Sequence, residues 1–164
     1  MREKRSIHLR PKIRFSAGIL LYDQPVKELR VLLGHIGGTL WERIEVGAWT
    51  ISKGKLADGG SVFDAALREF EEEVGLRPQG NFIPLTTDIE KSGKCVHMWA
   101  VQGAFDPVKI RSSITSVEWP AGYGRMVHFP ELDSAKWFSL EDAAKMAVKK
   151  QVLFSEELYW ELLN

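Results

Sequence analysis

Hydrophobic positions in this chain come in short dense runs divided by glycine, proline and charged residues, with a helical period clearest in one central stretch. From Ile13 onward RFSAGILLY is such a run, with Pro25 beyond it, and predicts a first strand. Leu29 to Leu33 predicts its antiparallel neighbour, and DQPVKE supplies the turn between them. Gly34 to Ala48 (GHIGGTLWERIEVGA) has no period and two adjacent glycines, which predicts a long loop of the kind that often carries function. Trp49 to Ser52 makes a short strand leading into Lys53-Gly54-Lys55. Further on, Phe82 to Ile89 and Cys95 to Val101 predict strands joined by a hairpin turn at Lys91 to Lys94. Asp106 to Gly124 again lacks a period and ends in turn residues. Ala135 to Phe138 predicts an edge strand, Ser139 and Asp142 cap a helix running through Val148, and Ser155 to Leu163 forms a last helix.

The central stretch is Ser61 to Val74. Phe63, Ala66, Leu67, Phe70 and Val74 recur at three- and four-residue intervals and make one apolar face for a core. Ser61 with Asp64 marks the start, and Gly75 is placed to end the helix in the left-handed conformation. Around the side of that helix stand Glu69, Glu72 and Glu73, spaced i, i+3 and i+4, so their carboxylates leave one face close together. At about 100° per residue they centre roughly 130° from the apolar stripe, at the edge of the core.

An acidic run on a helix is ordinarily a solvated face. Here only Arg68, four residues before Glu72, is placed to relieve the repulsion from the same helix. A hard divalent cation relieves it better, because Mg²⁺ takes a few carboxylates, keeps several waters and completes its shell with phosphate oxygens. The pair Lys53 and Lys55 flanks Gly54, where backbone can approach a phosphate while two ammonium groups neutralise it.

Composition narrows the class. A chain of 164 residues that is 45% hydrophobic suits one domain with a proper core, taken here as 13–164 behind an N-terminal arm at 1–12. Twenty-two basic residues against twenty-two acidic leave no overall field to attract nucleic acid or an anionic membrane. The single cysteine, Cys95, cannot form an internal disulfide, and no run reaches the roughly 20 apolar residues of a membrane span. The expectation is a cytoplasmic protein with a small-molecule partner, and six tryptophans leave room for a homodimer contact.

The sequence from Gly54 through Arg68-Glu69-Phe70-Glu71-Glu72-Glu73-Val74-Gly75-Leu76 resembles the signature of the Nudix hydrolases: Gly, five residues, Glu, seven residues, then Arg-Glu-apolar-any-Glu-Glu-any-Gly-apolar. Every fixed position is matched but one, since Gly60 stands where the family carries its first glutamate. WTISKGK likewise resembles the WxIPKGE of one bacterial branch, with Ser52 for proline and Lys55 for glutamate.

The resemblance implies an α/β fold, a Nudix-type α/β/α sandwich around a mixed sheet. It implies hydrolysis of a nucleoside diphosphate linked to another group, with Mg²⁺ or Mn²⁺ as cofactor. Glu69, Glu72, Glu73 and the carbonyl of Lys53 are the implied metal ligands, and Glu72 and Arg68 belong to the catalytic set. The family often places a further glutamate outside the signature, as metal ligand or general base, and Glu118 in an EWP sequence is the candidate for it. Trp41 either stacks on a base or staples its loop down, Tyr123 is a second stacking candidate, and Arg125 is a candidate for a distal phosphate. The rival expectation is a Nudix-fold module that binds a nucleotide without cleaving it, favoured by Gly60. His35, His97 and Trp99 are expected to be structural.

Overall fold

A computed structural model describes residues 14–56 and 59–164; the arm expected at Met1 to Lys12 lies outside the described residues. In chain order the elements are β1 (Arg14–Asp23), β2 (Arg30–Ile36), β3 (Trp49–Thr50), β4 (Ser52–Lys55), α1 (Val62–Val74), β5 (Phe82–Pro84), β6 (Asp88–Ile89), β7 (Lys94–Gln102), β8 (Ile114–Glu118), β9 (Met126–Pro130), β10 (Leu132–Ser139), α2 (Leu140–Met146) and α3 (Val152–Leu163).

The main sheet runs β10-β2-β1-β7-β5, with β3 pairing β2, β4 pairing β1 and β6 pairing β7. It is mixed: β1 and β7 are parallel from Arg14↔Lys94 to Tyr22↔Gln102, and the other pairings are antiparallel. Because β1 is central and covered on both faces, its sequence is apolar without alternation. Ala17, Ile19 and Leu21 face α1, while Leu20 and Tyr22 face the layer that holds Phe154 and Leu158 of α3. Two cores thus lie back to back across one sheet, and the α/β/α expectation holds.

The cap of α1 is as the sequence implies. Ser61 Oγ accepts from Asp64 N at 3.3 Å, and Gly75 ends the helix at φ 85°. The amide side chain of Gln151, just before α3, accepts from Ile51 N at 2.7 Å and exchanges hydrogen bonds with Thr50, which fastens the C-terminal layer to the strand that leads into Gly54.

Three loop or strand assignments change. Gly34 to Ile36 are strand, because β10 pairs alongside and a Cβ at Gly34 would come within 2.5 Å of Leu132. The run Phe82 to Ile89 breaks into β5 and β6 where Leu85 turns into the core, 7% exposed. The periodless stretch from Asp106 contains β8, which pairs with β9 as a separate two-stranded hairpin from Ile114↔Pro130 to Glu118↔Met126. That hairpin buries little of either face, so burial imposed no alternation on its sequence.

Candidate active site

The acids of α1 do not share one environment. Glu73 is buried at 7% exposure, the Glu69 side chain is 17% exposed, and that of Glu72 is 50% exposed. Gly54 explains how Glu69 is held: a Cβ there would stand 2.1 Å from the Glu69 carboxylate, so only glycine lets β4 lie against it.

Burial raises the Glu73 carboxyl to about 8, and the nearby carboxylates of Glu131 and Glu69 push the same way. The Ser52 hydroxyl works against that rise. Yet neither Ser52 Oγ nor Glu73 Oε2 has a hydrogen-bond partner, so geometry allows the hydroxyl little influence. Glu69 is also raised, first by burial and then by Glu72, with Arg68 opposing.

Glu131 is the residue that sequence reasoning missed. It sits between β9 and β10, and its backbone is fixed on two sides. Its N–H donates to Ser113 O at 2.9 Å, and its carbonyl accepts from Gly37 N at 2.9 Å. Ser113 in turn donates through N–H (2.9 Å) and Oγ (3.1 Å) to the carbonyl of Glu72. The last turn of α1, Ser113 and Glu131 therefore form one hydrogen-bonded chain that sets Glu131 opposite Glu69 and Glu73. A signal was present in the sequence: a lone acid between Phe129-Pro130 and Leu132, at the mouth of an edge strand.

Other candidates are distributed differently. Glu118 ends β8, exposed, and its carboxylate accepts from Gly124 N at 2.6 Å, which makes it the lock of the hairpin turn. Tyr123 is 81% exposed at that turn, and Arg125 beside it is also exposed. Lys53 alternates with Gly54 and sends its side chain to the opposite face, where it lines a small cavity with Glu90, Lys150 and Phe154. Burial lowers its pKa, Lys94 adds to that, and Glu73 is near enough to oppose it. Lys55 is exposed at the end of β4. Trp41 lines a cavity with Trp119, Phe129 and Glu131.

Arg68 is not stranded by the loss of a partner at position 60. It lies 3.7 Å from Glu69 and 3.8 Å from Glu72, with its side chain 47% exposed. A Cβ on Gly60 would meet none of the described residues within 4 Å. Gly60→Glu is thus expected to fold normally and to add at most ~0.5 kcal/mol, a melting shift of one or two degrees, as an exposed pair does. A larger rise by differential scanning fluorimetry would mean that the loop is held by that position far more strongly than an open glycine implies.

His35 is structural, as expected. Its Nδ1 is 2.9 Å from Asp133 and its Nε2 is 2.7 Å from the Ile44 carbonyl, so both ring nitrogens face acceptors. Burial opposes the charged ring, but these two acceptors outweigh it and the His35 pKa is raised. The loop carrying Trp41 is thereby tied to β2 through Ile44, and β2 in turn to β10 through Asp133.

The family model for the NUDIX domain matches residues 12–158. The chain belongs to the Nudix family, the hydrolases of pyrophosphate bonds. Similar solved structures agree on the fold. An Ap4A hydrolase of C. elegans, in a binary complex, shares 21% identity at a TM-score of 0.63, covering 92% of this chain and 98% of that one. The NUDIX domain of Shewanella oneidensis NrtR, complexed with ADP ribose, shares 13% at 0.64, covering 96% and 93%. A mutT/nudix family protein from Listeria innocua shares 15% at 0.60, covering 94% and 96%. No curated protein sequence matches.

The donor set of this Nudix chain can be tested against a divalent cation. Among the described residues no three acidic, imidazole or thiol side chains close into a ready cage. Magnesium does not require one, since one or two carboxylates suffice when substrate phosphates supply the rest. The orphaned Oε2 of buried Glu73, with two further carboxylates raising its pKa, is a position that a hard cation would satisfy. The residues fit the ion.

Proposed function

We propose that this Nudix hydrolase cleaves, with Mg²⁺ or Mn²⁺, a nucleoside diphosphate linked to a second group. The observation that carries the reading is Glu73: a carboxyl whose buried Oε2 has no partner among the described residues, near Glu69 and Glu131, is an arrangement that costs stability unless a cation joins it. Glu69, Glu72 and Glu73 would hold the ion, one or two of them directly and the rest through its waters, with the Lys53 carbonyl as a further ligand. Bound there, the ion supplies neutralisation of the phosphate oxygens, without which their charge repels an attacking water.

The protein's own groups do the remainder. Glu131 takes the proton of the attacking water, because it stands across the acidic centre from α1 and is fixed there through its backbone. Arg68, spanning Glu69 and Glu72, keeps those carboxylates from turning away from each other. Lys55 is solvent-facing and meets phosphates only as they enter. Tyr123 and Arg125 at the hairpin turn are free to reach a distal part of the substrate. One similar structure is of an Ap4A hydrolase and another is complexed with ADP ribose, which suggests where to begin: diadenosine tetraphosphate and ADP ribose.

The experiment is release of nucleotide products from a panel of such compounds, followed by chromatography with and without Mg²⁺. Metal-dependent release that disappears in the Glu72→Gln, Glu73→Gln double variant supports the reading. Full activity in that variant overturns it. Binding without any product, from every compound and with either metal, would instead favour a nucleotide-binding module, the reading to which Gly60 lends weight.

A further inference from the structure

A cavity of about 310 Å³ opens between the β8-β9 hairpin and the loop after β2, walled by Trp41, Trp119, Phe129, Leu40 and Val117 and bounded at one end by Glu131. That is the lower end of the volumes typical of small-molecule sites, roughly 300 to 1,000 Å³. The cavity is built by close backbone contact. A Cβ at Gly37 would collide with the Pro130 carbonyl at 1.9 Å, and one at Gly38 would stand 2.8 Å from the Phe129 ring, so two consecutive glycines let the loop seat on the hairpin strand.

Its chemistry is lopsided. Three aromatic rings face it, while its polar side chains besides Glu131 are the hydroxyl groups of Thr39 and Thr115. Among the described residues no lysine, arginine, asparagine or glutamine lines it, so they bring no cation for a phosphate and no side-chain amide to read a base edge. Trp119 remains 40% exposed at the rim. Glu131 lines the cavity and its charge also bears on Glu69 and Glu73, so the cavity adjoins the acidic centre at that residue.

We propose that this aromatic cavity receives the planar base of the substrate and holds it by stacking, with purines preferred for their area and little discrimination by hydrogen bonding. The inference rests on the hydrolase reading for the position of the phosphates. Stacking suits these walls because every base presents a π face, whereas only two threonine hydroxyls and the Glu131 carboxylate are there to read a base edge. The base lies against Trp41 and Trp119, and the diphosphate extends past Glu131 to the helix acids.

The test is equilibrium binding, which needs no turnover. Tryptophan fluorescence is titrated, with Mg²⁺, using α,β-methylene-ADP, its cytidine counterpart, the ring-free methylenediphosphonate and geranyl diphosphate. The expected order is adenosine over cytidine over the ring-free compound. Trp41→Ala and Trp119→Ala each weaken the adenosine compound about tenfold, with isothermal calorimetry replacing fluorescence for the variants, and leave methylenediphosphonate unchanged. Val117→Trp, which fills the cavity from its exposed rim, excludes the adenosine compound in the same way without touching the core. Equal affinity with and without the ring, unchanged affinity in all three variants, or tightest binding by geranyl diphosphate would each overturn the assignment. Cleavage of diphosphates with affinity unmoved by these variants sinks the cavity and spares the hydrolase; ring-dependent binding with no cleavage of any compound does the reverse.

Discussion

Glu73→Gln is expected to raise the melting temperature of the metal-free protein near pH 7.5 while it removes metal-dependent turnover. The carboxyl is held at about 8 in the fold, against 4.5 when free, chiefly because burial penalises its charged form. A raised acid binds more protons folded than unfolded. Its contribution therefore erodes stability as pH climbs from near 4.5 to about 8, and levels off above that.

Glutamine keeps the shape and removes the titration. The gain near pH 7.5 should reach about 2 kcal/mol, or roughly 5 °C for a chain of this size. Wild type melted across pH 5 to 8 should lose stability over that window, and the variant should lose much less of it. The same linkage makes metal uptake release a proton below about pH 8, so calorimetric heats will scale with the ionisation enthalpy of the buffer. If the variant melts lower than wild type at every pH, Glu73 is a stabilising charge and the cation argument loses its footing.

The second large effect concerns the base. Glu131→Gln is expected to lower kcat by about 10²- to 10⁴-fold, the range typical of losing a positioned general base, with KM changed much less. Glu118→Gln should cost far less, because it removes a hydrogen bond to Gly124 in an exposed turn. Steady-state kinetics on whichever dinucleotide is cleaved will decide between them. A collapse of kcat in the Glu118 variant with Glu131→Gln near wild type would return the role to the hairpin.

The comparison of these two glutamates shows how far the sequence carries. Helix α1 was legible because burial dictates both its period and its caps, and the same burial made β1 an unbroken apolar run. The mutual spacing of the three acids proposed as ligands was legible because a helix fixes it. Glu131 showed in the sequence only as an acid ahead of an edge strand, and its place beside α1 was not legible, since its hydrogen bonds with Ser113 and Gly37 join residues separated from it in sequence through backbone atoms that leave no trace in residue type. The β8 strand escaped notice for a related reason: its pairing is satisfied by backbone alone, and its exposed faces impose no pattern. Even the graded exposure of Glu69, Glu72 and Glu73 depends on what the sheet and Glu131 place above the helix, which helical spacing cannot report.

The Gly37-Gly38 seat has one more consequence. Since Gly37 is bonded to the carbonyl of Glu131 while Gly38 rests on Phe129, the two ends of the cleft are bolted to each other and behave as a ruler. With a base seated in that cavity as proposed, length would become the filter: cleavage would depend on how many phosphates separate the ring from the bond that reaches the acids, and compounds sharing that span would be treated alike whatever lies beyond it.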